Sequence, residues 1–193
     1  MSIKNKAFTL VELLVVVLIS SILIGISVST YSLFRKSITQ DQNKANISQN
    51  ARVAFDRISR ELRQTPEVIT ELPADVSDTS IAQPHEIEFQ DGHEEPGTPS
   101  SLTYRRYYIS NNLLKLDINE YYFSYATGTR VRWDSVGTSG QDPVKHVIST
   151  QDIAETVQTM NFYGSKPLQF EIITGDGANQ TFKLRTKLYE RNI

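Results

Sequence analysis

The sequence predicts an α+β chain in which one long N-terminal helix packs on an antiparallel β-sheet domain. No proline occurs before Pro66, and Gly25 is the only glycine before Gly92, so no strong helix breaker interrupts the first third of the chain. The second half alternates between apolar and polar residues with the period of two that is typical of strands. Because the helical pattern precedes all of the strand patterns, the order is that of an α+β fold rather than of alternating βαβ units.

Residues 8–29 form an apolar run that is long enough to span a membrane, which takes about 20 apolar residues. The run is too long for the apolar core of a secretory signal peptide, and no small-residue cleavage site follows it before Tyr31. Lys4 and Lys6 precede the run and would hold the N-terminus in the cytoplasm by the positive-inside rule. The sequence therefore predicts a single membrane span with the rest of the chain outside.

One carboxylate, Glu12, lies near the start of this apolar run. A carboxylate within a membrane span costs about 2.5–3.5 kcal/mol on insertion scales, so it normally has a partner and a function. A plain membrane anchor explains the length of the run but not this residue. The alternative is a bitopic anchor in which Glu12 extends its side chain to the membrane surface.

Residues 6–12, Lys-Ala-Phe-Thr-Leu-Val-Glu, resemble the class III signal of type IV pilins and type II secretion pseudopilins. The resemblance implies that a prepilin peptidase cuts between Ala7 and Phe8 and methylates the new amine of Phe8. Residues 1–7 would then be a leader peptide, residues 8–29 the transmembrane and filament-core helix, and Glu12 the carboxylate that pairs with a Phe amine during assembly. Ala7 departs from the family pattern, which usually has Gly before the cut.

The resemblance also implies a function, a location and a set of partners. The chain would be a minor pilin or pseudopilin, an assembly subunit rather than an enzyme, with no cofactor. It would be a single-pass inner-membrane protein with an exported C-terminal domain, in a pilus or pseudopilus at the cell surface or in the periplasm. Its partners would be other pilin or pseudopilin subunits, the prepilin peptidase, the inner-membrane assembly platform and membrane lipid. The alternative is a membrane-anchored adhesin or sensor domain that does not assemble into filaments.

Residues 30–65 are predicted to continue the helix as an amphipathic segment. One face is apolar at helical spacing and comprises Ala51, Phe55, Ile58 and Leu62. Asp56 with Arg60 and Arg57 with Glu61 have the spacing of helical ion pairs, and Pro66 ends the helix. Polar residues between 29 and 46 could introduce a kink or break. Residues 52–62 are also similar to the corresponding segment of PilW-type minor pilins and J-type pseudopilins.

Residues 66–193 are predicted to form the β-rich globular domain. The stretch 67–101 is rich in turn-forming residues and contains one short strand at 86–90. The remaining strands are predicted at 102–109, 113–118, 121–125, 130–133, 144–148, 157–163, 168–174 and 180–189. Ser110-Asn111-Asn112 is predicted to be a tight turn, because asparagine tolerates positive φ.

The composition excludes several kinds of chemistry. The chain has no cysteine, which excludes disulfides, cysteine-ligated zinc and a thiol nucleophile. Its 20 basic and 22 acidic residues give a net charge of -2, too balanced for nucleic-acid binding by bulk electrostatics. The sequence has no Walker A motif, no Gly-x-Ser-x-Gly motif and no His-Glu-x-x-His motif. No catalytic residues are therefore predicted.

Two metal sites and one contact surface are weaker alternatives. A metal site could be built from His85, Asp91, His93 and Glu94, although their spacing matches no known ligand pattern and a solvated loop explains them equally. The loop 175–179 resembles a fragment of a calcium loop but lacks the terminal glutamate, so a β-turn is preferred. Tyrosines and arginines could contact DNA or a secreted substrate, against a packing role on the strands: Tyr104, Tyr107, Tyr108, Tyr121, Tyr122, Tyr125, Arg105, Arg106, Arg130 and Arg132.

Overall fold

The computed structural model describes residues 9–92, 102–164, 166–175 and 181–189. It contains one helix, α1, and seven strands, β1 to β7, within these residues. Their bounds are α1 Leu10–Leu62, β1 Ile87–Gln90, β2 Tyr104–Ser110, β3 Leu113–Tyr122, β4 Val144–Ala154, β5 Val157–Tyr163, β6 Leu168–Gly175 and β7 Thr181–Leu188. The chain divides into two compact units between residues 44 and 45.

Helix α1 confirms the predicted long helix, and the break that the polar residues could have introduced is not present. Side-chain hydroxyls in this stretch donate to backbone carbonyls three or four residues earlier. Ser29 donates to Gly25 at 2.9 Å and Thr39 donates to Arg35 at 3.0 Å. These bonds satisfy the hydroxyl groups within the helix itself, so the polar residues cause no interruption.

The strands form two antiparallel sheets, which confirms the predicted antiparallel β-sheet domain. The first has the order β1-β2-β3-β4 and the second has the order β5-β6-β7. Asn111 and Asn112 connect β2 to β3 with φ of 53° and 62°, which confirms the predicted turn.

Three strand predictions were wrong in their bounds or existence. The stretches 113–118 and 121–125 were predicted as separate strands, but β3 runs through Asn119, whose buried amide donates to Glu88 at 2.9 Å. The hydrogen bond to Glu88 offsets the cost of burying the polar side chain of Asn119, so the strand continues past residue 118, where it was predicted to end. The predicted strand 130–133 is not formed among the described residues. Its Val131 N–H donates to Tyr121 O at 2.8 Å, and its Trp133 N–H donates to the Tyr104 hydroxyl at 3.2 Å. Strand β4 extends past its predicted end at 148 to Ala154.

The second unit has one hydrophobic core, built from the C-terminal part of α1 and both sheets. Ala51, Ile58 and Leu62 are buried as predicted. Phe55 is only half-buried and stacks on Phe170 with ring centroids 5.3 Å apart, whereas Ala54 beside it is fully buried. The helix backbone meets the second sheet at Ile47, whose carbonyl accepts a hydrogen bond from Thr174 Oγ1 at 3.3 Å. The α+β prediction is confirmed.

A buried carboxylate on α1 fixes the helix to the first sheet. Glu61 accepts hydrogen bonds from Tyr107 Oη at 2.5 Å and Arg105 Nη1 at 2.7 Å, across the helix–sheet interface. Arg57 Nε lies 3.3 Å from the same carboxylate, which confirms the predicted Arg57–Glu61 pair. Burial raises the pKa of the Tyr107 hydroxyl, and the hydrogen bond to Glu61 raises it further.

Candidate functional site

The start of α1 is a capping box formed by Thr9 and Glu12. The Glu12 N–H donates to Thr9 Oγ1 at 3.3 Å, and the Thr9 N–H donates to Glu12 Oε2 at 3.5 Å. Each side chain thus satisfies a backbone donor that the first helical turn would otherwise leave without a partner. The Thr-x-x-Glu signature was present in the sequence, but Glu12 was assigned only a role in assembly.

Glu12 is exposed, and its carboxylate lies in the first turn of the helix, where a negative charge is favourable. Within the described part of the chain, no lysine or arginine forms an ion pair with it. Ala7 and Phe8, the predicted cleavage site, lie outside the described residues, as do Lys4 and Lys6. Cleavage, methylation and pairing with an amine therefore stay predictions.

The apolar side chains that follow Glu12 are exposed on all sides of the helix. The large apolar residues between Leu10 and Val28 have exposed fractions from 50% to 78%. In the described ranges, one helix is long and apolar enough to cross a membrane, judged by length and composition. Such a surface is far larger than the apolar patches of soluble monomers, so lipid or other protein must cover it. It is compatible with a single-pass membrane anchor.

The structure gives two residues of the alternative metal site other partners. His85 Nδ1 lies 3.2 Å from Met160 O, and Asp91 accepts a hydrogen bond from Arg105 Nε at 2.9 Å. His93 and Glu94 lie outside the described residues, as do residues 176–179 of the alternative calcium loop. Among the described residues, no three metal-ligating side chains cluster together.

Several residues of the alternative contact surface have structural roles instead. Tyr104 and Tyr107 are fully buried, and Tyr121 packs edge-on against Tyr104. Each of the four arginines pairs with carboxylates, as shown by Arg105–Glu61, Arg106–Glu86, Arg130–Glu120 and Arg132–Glu67. These ion pairs neutralise the positive charge that contact with DNA would need. Tyr125 remains exposed.

Comparison with known proteins identifies the N-terminal segment. Residues 3–28 match the family model described as the prokaryotic N-terminal methylation motif. No curated protein and no solved structure matches the chain. The matched residues include the capping box and most of the bare apolar stretch of α1. The motif, the apolar helix and the α+β fold together support a relation to the type IV pilin-like superfamily, whose subunits are processed by a prepilin peptidase.

Proposed function

We propose that this protein is a minor pilin or pseudopilin, a structural subunit of a type IV pilus or type II secretion pseudopilus. The observation that carries the proposal is the position of Glu12, in the first turn of a helix whose apolar surface is bare. The match of residues 3–28 to the methylation motif supports it independently. The domain after the span would be exported, and the chain would be held in the inner membrane until assembly.

Processing would create the group with which Glu12 pairs. Hydrolysis of the bond between Ala7 and Phe8 leaves a cationic amine on Phe8, which is then methylated and keeps its charge. Among the described residues, the Glu12 carboxylate accepts one long hydrogen bond, from the Thr9 N–H at 3.5 Å. The carboxylate can therefore exchange this weak contact for the amine of a neighbouring subunit.

Assembly would make this pairing energetically important. In a filament, the helices of neighbouring subunits replace lipid around the bare apolar surface of α1. Glu12 and the amine are then both removed from water, where an unpaired charge is costly. Breaking a buried ion pair by removing one partner typically costs about 3–5 kcal/mol. This penalty would select the subunit register in which carboxylate and amine meet.

Substitutions of Glu12 test the proposal. Glu12→Val should insert into the membrane and be processed, but should not enter filaments. Glu12→Gln is the matched control, since glutamine can still complete a capping box without carrying a charge. The measurement is the fraction of the mature protein recovered in sheared or pelleted filaments. If charge pairing is the function of Glu12, both variants fail to assemble.

The two variants also separate the alternatives. If Glu12→Gln assembles and Glu12→Val does not, Glu12 acts as a helix cap and not as an ion-pair partner. If Glu12→Val assembles normally, the pairing role is wrong. A membrane-anchored adhesin or sensor would show no filament incorporation even for the unaltered chain. The minor role, as opposed to that of a main shaft subunit, is supported by the large two-sheet domain and by the similarity of residues 52–62 to PilW-type and J-type subunits.

A further inference from the structure

An open groove in the second unit runs beside the C-terminal turns of α1. Its volume is about 580 Å³, enough to admit several side chains. Tyr189, just after β7, forms one wall, and the other residues come from the end of α1 and the turn that follows it. The lining comprises Phe55, Asp56, Ser59, Arg60, Arg63, Gln64 and Tyr189, and we call it the Arg60 groove.

The Arg60 groove contains two arginines that have no side-chain partner among the described residues, beside one carboxylate, Asp56. Neither Arg60 nor Arg63 forms an ion pair within the described part of the chain, and Asp56 does not form its predicted pair with Arg60. The arginines of the first sheet, by contrast, are paired with carboxylates. Ser59 is 6% exposed, and its Oγ has no hydrogen-bond partner among the described residues. These groups fit a ligand that carries carboxylates.

The apolar part of the lining adds a second requirement. The half-buried ring of Phe55 and the largely exposed ring of Tyr189 face the same groove. A free carboxylate ion would leave these rings in contact with water. A peptide segment in which an apolar side chain lies next to acidic ones would satisfy both the arginines and the rings.

The same chain carries such a segment at residues 74–80, which we call the Asp75 loop. Asp75 accepts hydrogen bonds from the Ser77 hydroxyl and N–H at 2.6 and 2.7 Å, and Asp78 accepts from the Ser80 hydroxyl at 2.6 Å. These bonds lower the pKa of both carboxyl groups, so both are ionised at neutral pH. Val76 lies between them with 60% of its surface exposed.

The groove and the loop lie at opposite edges of the second sheet. Tyr189 follows β7, whereas the Asp75 loop adjoins the end of β5, where the Gly164 N–H donates to Pro73 O at 2.8 Å. β5 and β7 are the outer strands of this sheet, so they are separated by two strand spacings, about 10 Å. Both strands are antiparallel to β6 and end beside its first residues, so the two surfaces lie at the same end of this sheet, where another copy can reach each of them.

We propose that the Arg60 groove of one copy binds the Asp75 loop of the next copy. The contact joins two different surfaces, the groove of one copy and the loop of another. Only the place of this contact in a filament rests on the proposed function. The contact can be tested in membranes that contain no other pilus component.

The absence of cysteine from the chain permits a direct crosslinking test. Gln64→Cys places a thiol in the groove, and Thr79→Cys places one on the exposed part of the loop. Full-length chains with one substitution each are co-expressed in the membrane and treated with a short bismaleimide. We expect a crosslinked heterodimer from the mixture. Gln64→Cys with Val136→Cys, another exposed position, measures random collision.

Charge substitutions test whether the named residues hold the contact. Arg60→Glu with Arg63→Glu should lower the crosslinked fraction about tenfold or more, a change of ~1.4 kcal/mol. Arg52→Glu changes an exposed arginine outside the groove and should have no effect. Asp75→Asn with Asp78→Asn removes the loop charges while the amide oxygens can still accept the turn hydrogen bonds, and should also lower crosslinking. Asp142→Asn is the matched control for this pair.

A charge exchange completes the test. The groove variant combined with Asp75→Asn, Val76→Lys and Asp78→Asn should recover crosslinking, because the cation is then on the loop. The inference is overturned if the mixture crosslinks no more than the collision control, or if the groove variant crosslinks normally. It is also overturned if either single-thiol chain alone forms as much dimer as the mixture, since that places two grooves or two loops side by side. Glu12→Val should leave the crosslinks intact, so failure of this contact and failure of the proposed function are distinguishable.

Discussion

Replacement of Tyr107 by phenylalanine tests how α1 is attached to the first sheet. The change removes one hydroxyl and leaves the buried ring in place. That hydroxyl donates to Glu61 at 2.5 Å, and Glu61 is 7% exposed. Arg105 and Arg57 continue to contact the carboxylate in the variant, so the loss is confined to one hydrogen bond.

The expected loss follows from the charge of the acceptor. Hydrogen bonds to charged groups contribute about 1.5–3 kcal/mol to stability. Because Glu61 keeps its two arginine partners, no buried charge becomes unpaired, and we expect the free energy of unfolding to fall by about 2 kcal/mol. For a chain of this size, that corresponds to a decrease in Tm of about 4–8 °C. Tyr189→Phe, at a largely exposed tyrosine, should change stability by less than about 0.5 kcal/mol.

The same variant should change the alkaline sensitivity of the fold. The pKa of Tyr107 is raised in the folded state, so the unfolded chain loses this proton first, near pH 10. The stabilisation is complete below pH 10 and decreases as the pH rises towards the folded-state value. Each such tyrosine steepens the loss of stability by about 1.4 kcal/mol per pH unit. Tyr107→Phe should therefore lose stability less steeply above pH 10 than the unaltered protein.

Unfolding can be followed by the fluorescence of Trp133, the single tryptophan of the chain. Urea titrations of the detergent-solubilised protein at pH 7.5 and at several values above pH 10 would give both quantities. If Tyr107→Phe is as stable as Tyr189→Phe at neutral pH, the hydrogen bond to Glu61 does not stabilise the fold. If the alkaline slopes of the two variants are equal, the raised pKa is assigned to the wrong tyrosine.

Two substitutions test the packing around α1. Ile58→Ala should destabilise the domain by about 2–5 kcal/mol, because Ile58 is fully buried, whereas Val53→Ala on the exposed face should change little; equal urea midpoints would contradict the core assignment. Gly92→Ala should cost about 1–3 kcal/mol, since a Cβ there would lie 1.9 Å from Gln64 O, and Gly128→Ala, with open space around it, is the control. Equal thermal stability of these two alanine variants would refute the close approach at Gly92.

The sequence was most informative where structure depends on neighbouring residues. The helix could be predicted because Gly25 is the only glycine before Gly92 and no proline precedes Pro66. The Asn111–Asn112 turn could be predicted because few residues other than asparagine and glycine adopt its backbone conformation. The capping box could also have been predicted from the sequence, because Thr9 and Glu12 are only three positions apart.

Features that depend on distant residues were not predictable. The continuation of β3 through Asn119 depends on Glu88, which is 31 positions away in the sequence. The division of the strands into two sheets follows from pairings that the pattern of each strand does not specify. The predicted Asp56–Arg60 pair is not formed, because an exposed helical ion pair contributes only about 0.3–0.5 kcal/mol and does not fix two flexible side chains. At the candidate site, Glu12 was identified from sequence, but the Arg60 groove appears only when β7 ends beside the helix.

Mass spectrometry of the mature N-terminus tests the central claim most directly. The full chain would be expressed in membranes that contain a prepilin peptidase, purified, and digested for identification of its first peptide. The proposed function predicts that the mature protein begins with N-methylated Phe8 and that residues 1–7 are absent. Intact Met1 in all of the mature protein would contradict the account and would indicate an uncleaved membrane anchor.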